Sequence, residues 1–222
     1  MGQENKNFKE QFYLILTGIF IASLVASNLI FQKFFTWNFL GIDFELSVGI
    51  IAYPVTFLVT DLISELYGQK RANQVVVSGF FASVFTTLLV LISANANAVE
   101  WSPIDNTTFT KVFGLTGPAF FASMVAYLTA QLIDVRIFHF WKRLTKGKHL
   151  WLRNNASTMF SQLVDTSVIL IILCSAGVIE WERFYGLWMM GWIFKVLVAL
   201  IDTPVIYGII YLLKGKIDIA KE

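Results

Sequence analysis

Six long apolar stretches constrain this chain more than any other feature of its sequence. An α-helix rises about 1.5 Å per residue, so crossing a hydrocarbon core of roughly 30 Å takes about 20 mostly apolar residues. Stretches of that length run over 12–31, 46–66, 72–93, 112–141, 157–179 and 186–213. The fourth and sixth are longer than the minimum, which predicts helices that are tilted or that emerge from the membrane at one end.

The composition excludes a soluble fold for these stretches. The chain is 56% hydrophobic and 14% charged, and its mean hydropathy is +0.66. Soluble domains are nearer half apolar and a quarter charged. The strand alternation of a membrane barrel is absent. We therefore predict an all-α integral membrane protein with six transmembrane helices in a single domain that spans residues 1–222.

Positive charges predict the orientation of the helices. If the N-terminus is cytoplasmic, twelve of the seventeen Lys and Arg residues fall on the cytoplasmic side and three on the outer side. This bias predicts cytoplasmic N- and C-termini, with 141–153 as the strongest cytoplasmic anchor. The first stretch is about twice the length of a signal-peptide core, and five more follow, so we expect it to be retained. The formal net charge of +2 and the lack of an aromatic–basic patch argue against a nucleic-acid partner.

Ionisable residues inside the predicted spans are the main functional signal. Each costs about 2.5–3.5 kcal/mol to insert and normally faces a bundle interior or a wet cavity. Polar residues of the second, fourth, fifth and sixth stretches recur at helical spacing on one side of each helix, which is what lining a common cavity requires. The ionisable candidates are Asp61, Glu65, Asp134, Arg136, Asp165, Lys195 and Asp202, and Gln131, Asn155, Thr158 and Gln162 extend the same stripes.

Two readings of these groups remain open at this stage. Glu65, Arg136 and Asp202 could equally be interfacial residues that pair or snorkel, whereas the deeper groups favour a functional cavity. Seven ionised groups would leave the interior with a net negative charge, so we expect at least one carboxylate to be protonated or paired with a cation. Pro54 falls inside the second predicted helix and Pro204 inside the sixth, and each is expected to kink its helix.

Motifs for other chemistries are missing from the sequence. No phosphate-binding loop and no nucleophile elbow occur. His139 and His149 do not have metal-ligand spacing, and the single cysteine, Cys174, cannot form an internal disulfide. We expect no metal, no cofactor and no enzymatic activity. Three rivals stay open: a substrate-capturing subunit that needs a separate ATPase, an intramembrane enzyme, and a structural membrane subunit.

Several blocks of sequence resemble the queuosine precursor transporter family, formerly grouped with the vitamin uptake transporters. The blocks occur in family order, and the resemblance spans roughly residues 52–213. They read FLVTDLISELYG at 57–68, AYLTAQLIDV at 126–135, WLRNNAST at 151–158, QLVDT at 162–166 and FKVL at 194–197, followed by Pro204 and Tyr207.

The resemblance implies a six-helix importer in the bacterial inner membrane that salvages precursors of the tRNA nucleoside queuosine. The implied substrates are 7-cyano-7-deazaguanine and 7-aminomethyl-7-deazaguanine, and the implied fold is similar to substrate-binding subunits of energy-coupling-factor transporters. Whether the chain forms a homo-oligomer or needs an energising partner is left open. The alternative function is that of a substrate-capturing subunit of an ATP-driven energy-coupling-factor transporter.

A deazaguanine edge presents N1–H and 2-NH₂ donors in parallel, which a carboxylate accepts as a pair. On this hypothesis one of Asp61, Asp134 and Asp165 binds the donor edge and Lys195 balances the charge. The other residues expected to bind substrate are Glu65, Gln131, Asn155, Thr158 and Gln162.

Overall fold

The computed structural model describes residues 3–39, 41–113 and 117–213, and these segments are mostly helical. Helices alternate with short connections along the chain. In order, the elements are α1 (Gln3–Ile30), β1 (Phe34–Phe39), β2 (Ile42–Ser47), a 3₁₀ turn (Val48–Ile51), α2 (Tyr53–Tyr67), α3 (Gln69–Ala94), α4 (Asn106–Phe113), α5 (Gly117–Leu144), α6 (Leu150–Ser175) and α7 (Trp181–Leu213). Lys214, Lys216 and Lys221, which the charge count includes, lie outside the described residues.

Five segments of the described chain are long and apolar enough to cross a membrane. They are Asn5–Ile30, Val48–Tyr67, Gln69–Ala94, Leu150–Ser175 and Trp181–Leu213, and they coincide with five of the six predicted stretches. The prediction of a helical membrane protein is therefore confirmed at this level. The remaining stretch corresponds to α5, a helix of 28 residues that carries several polar and charged side chains. Residues 114–116 of that stretch lie outside the described residues.

A β-hairpin between the first two long helices was not predicted. β1 and β2 pair antiparallel, with Phe34 opposite Ser47 and Phe39 opposite Ile42. The sequence between these strands, around Gly41, supplies the positive φ that a tight connection requires. Because the hairpin includes Leu46 and Ser47, the second long helix begins later than the apolar stretch suggested. Residue 46 is part of a strand rather than the start of a span.

Pro54 does not kink α2, contrary to the sequence expectation. The helix begins at Tyr53, so Pro54 lies in its first turn, where the missing N–H would have no intrahelical partner in any case. Pro204, by contrast, does lie inside α7. The apolar stretch alone could not place the first residue of α2, because the strand and the 3₁₀ turn before it are apolar as well.

Two groups of helices make up the bundle. α1, α2 and α3 pack on one another and form the first half, whereas α5 packs on α6 and α6 on α7 to form the second half. The halves meet where α3 and α2 contact α5 and where α2 contacts α7. We call the end that carries the hairpin the hairpin end, and the opposite end, with the α5–α6 loop at 145–149, the basic end.

A short helix, α4, contacts α3. Asp105 precedes α4, and its Oδ1 accepts a hydrogen bond of 2.6 Å from the backbone N–H of Thr108. This bond holds the pKa of the exposed Asp105 carboxyl below its usual range. Asp105 thus acts as the N-cap that starts the helix.

Gly79 on α3 lies where side chains of α1 and α5 pack closely against the α3 backbone. A Cβ built at this position would lie 2.6 Å from a ring carbon of Phe20, 2.8 Å from Tyr127 Oη and 3.0 Å from a methyl group of Leu24. Those side chains are fully buried and have no room to move. Tyr127 Oη also donates a 2.6 Å hydrogen bond to the backbone carbonyl of Val76, which ties α5 to α3.

We therefore expect Gly79→Ala to destabilise the protein by about 1–3 kcal/mol, the usual cost of overpacking a core. Thermal unfolding of the detergent-purified protein measures the effect. Gly18→Ala is the matched control, because Gly18 is also helical and a Cβ there meets nothing within 4 Å. A Gly79→Ala protein that unfolds at the same temperature as Gly18→Ala would contradict the predicted packing.

Candidate functional site

Polar side chains form a column along the interface between the two halves. α2 and α5 run parallel, while α6 runs antiparallel to both, so residues at regular spacing on the three helices meet in successive layers. Going from the hairpin end to the basic end, Tyr53, Asp61 and Glu65 of α2 contact side chains of α6 in reverse sequence order. Those partners are Asp165, Thr158 and Arg153.

The layer nearest the hairpin end contains a buried ion pair. Lys195 Nζ on α7 donates to Asp165 Oδ2 at 2.6 Å and to Thr166 Oγ1 at 3.1 Å. Tyr53 Oη donates to Asp165 Oδ1 at 2.8 Å, and Lys195 Nζ lies 5.4 Å from the centre of the Tyr53 ring. A carboxylate has about four acceptor sites, so Asp165 can accept further hydrogen bonds from a ligand.

A cavity of about 240 Å³ extends from this ion pair towards the hairpin end. Asp165, Lys195 and Tyr53 line it at one end, and the hairpin residues Phe34 and Glu45 line it at the other. Two further cavities, of about 700 and 260 Å³, border the hairpin and share Glu45 and Leu187 with the first. The three cavities therefore adjoin one another at the hairpin end, and the first of them reaches the ion pair.

Asn28 and Ser123 also line this cavity and were missed by the sequence analysis. Ser123 Oγ donates to Asn28 Oδ1 at 2.8 Å, joining α1 to α5. The Asn28 amide nitrogen is buried and has no hydrogen-bond partner among the described residues. Single neutral polar residues in apolar helices are common, so the sequence carried no signal that singled out these two.

The next layer towards the basic end is built from an amide and two hydroxyls. Gln131 Nε2 on α5 donates to Thr56 Oγ1 at 3.1 Å, and Thr60 Oγ1 donates to Gln131 Oε1 at 3.3 Å. All three side chains are fully buried. The amide of Gln131 is thus satisfied by protein groups.

Two carboxyl groups, Asp61 and Asp134, lie in the following layer and bond to side chains one turn apart on α6. One oxygen of each carboxyl has no hydrogen-bond partner among the described residues. Thr158 Oγ1 donates to Asp61 Oδ2 at 3.4 Å, and Ser161 Oγ donates to Asp134 Oδ1 at 2.8 Å. Both carboxyls are buried.

The last layer, at the basic end, is a buried ion triad formed by Glu65, Lys142 and Arg153. Arg153 Nη2 lies 2.6 Å from Glu65 Oε1, and Lys142 Nζ lies 3.4 Å from Glu65 Oε2. All three side chains are at most 7% exposed. Glu65 is therefore paired with cations, as the sequence analysis allowed for an interfacial residue. Its partners are protein side chains, on α5 and α6.

Asn155 and Gln162, the remaining predicted residues, lie on α6 along the same column. Asn155 Nδ2 donates to Thr203 Oγ1 and to the Trp151 carbonyl, both at 2.7 Å. Gln162 and Thr158 line a space of about 10 Å³ next to Lys195, which is roughly the size of one water molecule. The Gln162 side-chain oxygen has no partner among the described residues.

The nine predicted site residues are thus spread along the column. Eight of them are buried, and Lys195 is partly buried. Only Asp165 and Lys195 border the cavity of about 240 Å³. Of the other ionisable candidates, Arg136 is exposed and Asp202 is half-buried. In the part of the chain that is described, no group of three or more His, Cys, Asp and Glu side chains could hold a metal ion.

Comparisons with known proteins identify relatives of this chain. The family described as Putative vitamin uptake transporter matches residues 47–209. A Queuosine precursor transporter of Escherichia coli is 26% identical over 93% of this chain and 89% of its own length. Probable queuosine precursor transporters of Bacillus subtilis and Haemophilus influenzae are 28% and 27% identical over 73% and 76% of this chain, and over 70% and 69% of their own lengths. No solved structure matches.

The buried ion pair at the cavity has a measurable consequence for stability. Lys195→Met leaves the Asp165 carboxylate buried without its cation, and we expect it to lower the free energy of unfolding by about 3–5 kcal/mol. The double variant Asp165→Asn with Lys195→Met removes both charges and should recover most of that loss. Denaturation in detergent measures both. Additive losses in the double variant would contradict the coupling between these two groups.

Proposed function

This chain belongs to the family described as Putative vitamin uptake transporter, and on that premise we propose that it imports queuosine precursors across the bacterial inner membrane. Three relatives named as queuosine precursor transporters or probable queuosine precursor transporters support the substrate. The observation that carries the proposal is the cavity at the hairpin end, which leads to the buried Asp165–Lys195 pair. A binding role explains this buried pair, which borders empty space instead of packed apolar side chains.

The pair is complementary to a 7-deazaguanine base, the substrate class that the sequence resemblance implies. The Asp165 carboxylate can accept hydrogen bonds from N1–H and 2-NH₂ together, while the Lys195 ammonium can donate to O6. Phe31, Phe34 and Tyr53 line the same cavity and offer aromatic faces on which the ring can stack. At about 240 Å³ the cavity is slightly smaller than the roughly 300 Å³ lower bound for drug-sized ligands, which suits one small base.

The deeper layers would then provide the onward path. Gln162 and Thr158 continue from Lys195 towards Asp61 and Asp134 through the water-sized space beside them. Gln131 lies in the same column. We propose that these groups, with Asn155, bind the base or accompanying water as it moves through the bundle.

The membrane arrangement is part of the same proposal. We propose that α5 is the sixth span and that the chain is a single six-helix domain over residues 1–222, with a fold similar to substrate-binding subunits of energy-coupling-factor transporters. Polar residues in α5 face its neighbours: Gln131, Asp134 and His139 are fully buried. With the basic end cytoplasmic, as positive charge favours, the cavity opens to the outside and both termini lie inside.

Uptake in cells that cannot make the precursor tests the binding roles. Asp165→Asn replaces one carboxylate oxygen with an NH₂ donor, which would face the N–H donors of the base. We therefore expect the queuosine content of tRNA to fall at least about tenfold when the supply of 7-cyano-7-deazaguanine is limiting. This factor corresponds to the loss of one hydrogen bond to a charged group. Glu182→Gln is the matched control, an exposed carboxylate on the same helix as Lys195. Wild-type uptake by both Asp165→Asn and Asp134→Asn at normal expression would refute these assignments.

Reconstitution separates a self-sufficient importer from a substrate-capturing subunit. We expect the purified chain in liposomes to take up 7-cyano-7-deazaguanine without ATP and without a second protein, because the column already crosses the bundle from end to end. Protein-free liposomes give the background. Uptake that appears only when an ATPase module is added would favour the energy-coupling-factor alternative.

A further inference from the structure

The ion triad at the basic end ties the two halves together. Glu65 is on α2 of the first half, whereas Lys142 and Arg153 are on α5 and α6 of the second half. Arg153 also donates to the backbone carbonyls of Gly147 and Lys148 at 3.0 and 3.2 Å, so it holds the α5–α6 loop against the same carboxylate. Three elements and a loop therefore converge on Glu65.

The backbones of α2 and α6 hardly approach each other, in contrast to the close packing of α6 on α5 and α7. The side chains of α2 and α6 nonetheless meet at Tyr53–Asp165, Asp61–Thr158 and Glu65–Arg153. Polar side chains thus connect these two helices at three points. At the basic end the side-chain contact between α2 and α6 is the Glu65–Arg153 ion pair. Separating the two helices there would break this ion contact.

Stability does not explain why this contact is ionic. A buried ion pair is often no more stabilising than apolar residues of similar volume, because removing the charges from water is costly. The same charges regain their hydration when the contact opens to water. Apolar side chains in the same place would instead be exposed to water, which is unfavourable in free energy. A contact that must alternate between buried and hydrated states therefore favours ions over apolar side chains.

The three cavities that border the hairpin lie at the hairpin end, while the triad lies at the opposite end of the column. We propose that Glu65, Lys142 and Arg153 form the cytoplasmic gate of the transporter and that Glu65 is a gate residue rather than a substrate ligand. This inference rests on the proposed function. During import the triad breaks, the basic end of α2 moves away from α5 and α6, and the column opens to the cytoplasm.

Cysteine labelling tests the gate without requiring transport. Cys174→Ser removes the chain's single cysteine, and Ser64→Cys then places one thiol beside Glu65 at a position that is 0% exposed. The probe is a membrane-impermeant maleimide, applied to inside-out vesicles and, separately, to right-side-out spheroplasts. Labelling should be slow from both sides when the triad is intact.

Glu65→Gln should raise the labelling rate from the cytoplasmic side by about tenfold or more. The free-energy cost of removing one partner of a buried ion pair is larger than the free energy that corresponds to a tenfold change in population. The charge swap Glu65→Lys with Arg153→Glu keeps one acid and two bases in the triad, and it should restore slow labelling. Glu10→Gln is the matched control, because Glu10 forms an exposed ion pair with Arg71 between α1 and α3, within the first half. It should label as slowly as the parent.

Three results overturn the gate: labelling of Glu65→Gln that is no faster than the parent, labelling that rises mainly from the outer side, or a swap variant that labels as fast as Glu65→Gln. The swap keeps the proposal falsifiable if Glu65→Gln unfolds and labels from both sides. Adding 7-cyano-7-deazaguanine to the parent should speed labelling from the cytoplasmic side. If the swap behaves as expected but this base is neither taken up nor speeds labelling, the gate stands and the proposed substrate is wrong.

Discussion

Buried polar groups in a bilayer must find their partners inside the protein, because lipid offers neither hydrogen bonds nor hydration. In this chain the register of three helices provides many of those partners. α2 runs parallel to α5 and antiparallel to α6, so polar residues spaced by one or two turns on each helix meet in layers. The ion pair, the amide layer, the carboxyl pair and the ion triad all depend on this register.

The layers differ in how they are satisfied, and the difference has a functional meaning. At the basic end Glu65 has two cationic partners and no adjoining cavity among those described. Near the hairpin end, Asp165 has one cation and a tyrosine, and it borders open space. Among the described residues, the column thus has a cavity near one end and a buried ion triad at the other. A carrier that admits a solute from one side at a time needs such an asymmetry.

Much of this arrangement could be predicted from residue types and spacing. Asp61, Asp134, Asp165 and Lys195 were expected in the interior because charge is costly in lipid, and the structure buries them there. The cationic partners of Glu65 could not be predicted, because Lys142 and Arg153 fall in the basic segment that the charge count assigned to the cytoplasm. The hairpin was also missed, since an apolar strand and the start of an apolar helix have the same composition.

The sequence by itself determined that this chain forms helices in a membrane and that its polar residues lie on one side of each helix. Both follow from local physical chemistry: the length of the apolar stretches and the periodicity of 3.6 residues per turn. Only the tertiary structure decided which polar residues pair with one another, which of them border a cavity, and which close the basic end. Those outcomes depend on the relative register and distance of helices far apart in sequence, and spacing along one helix contains no information about either.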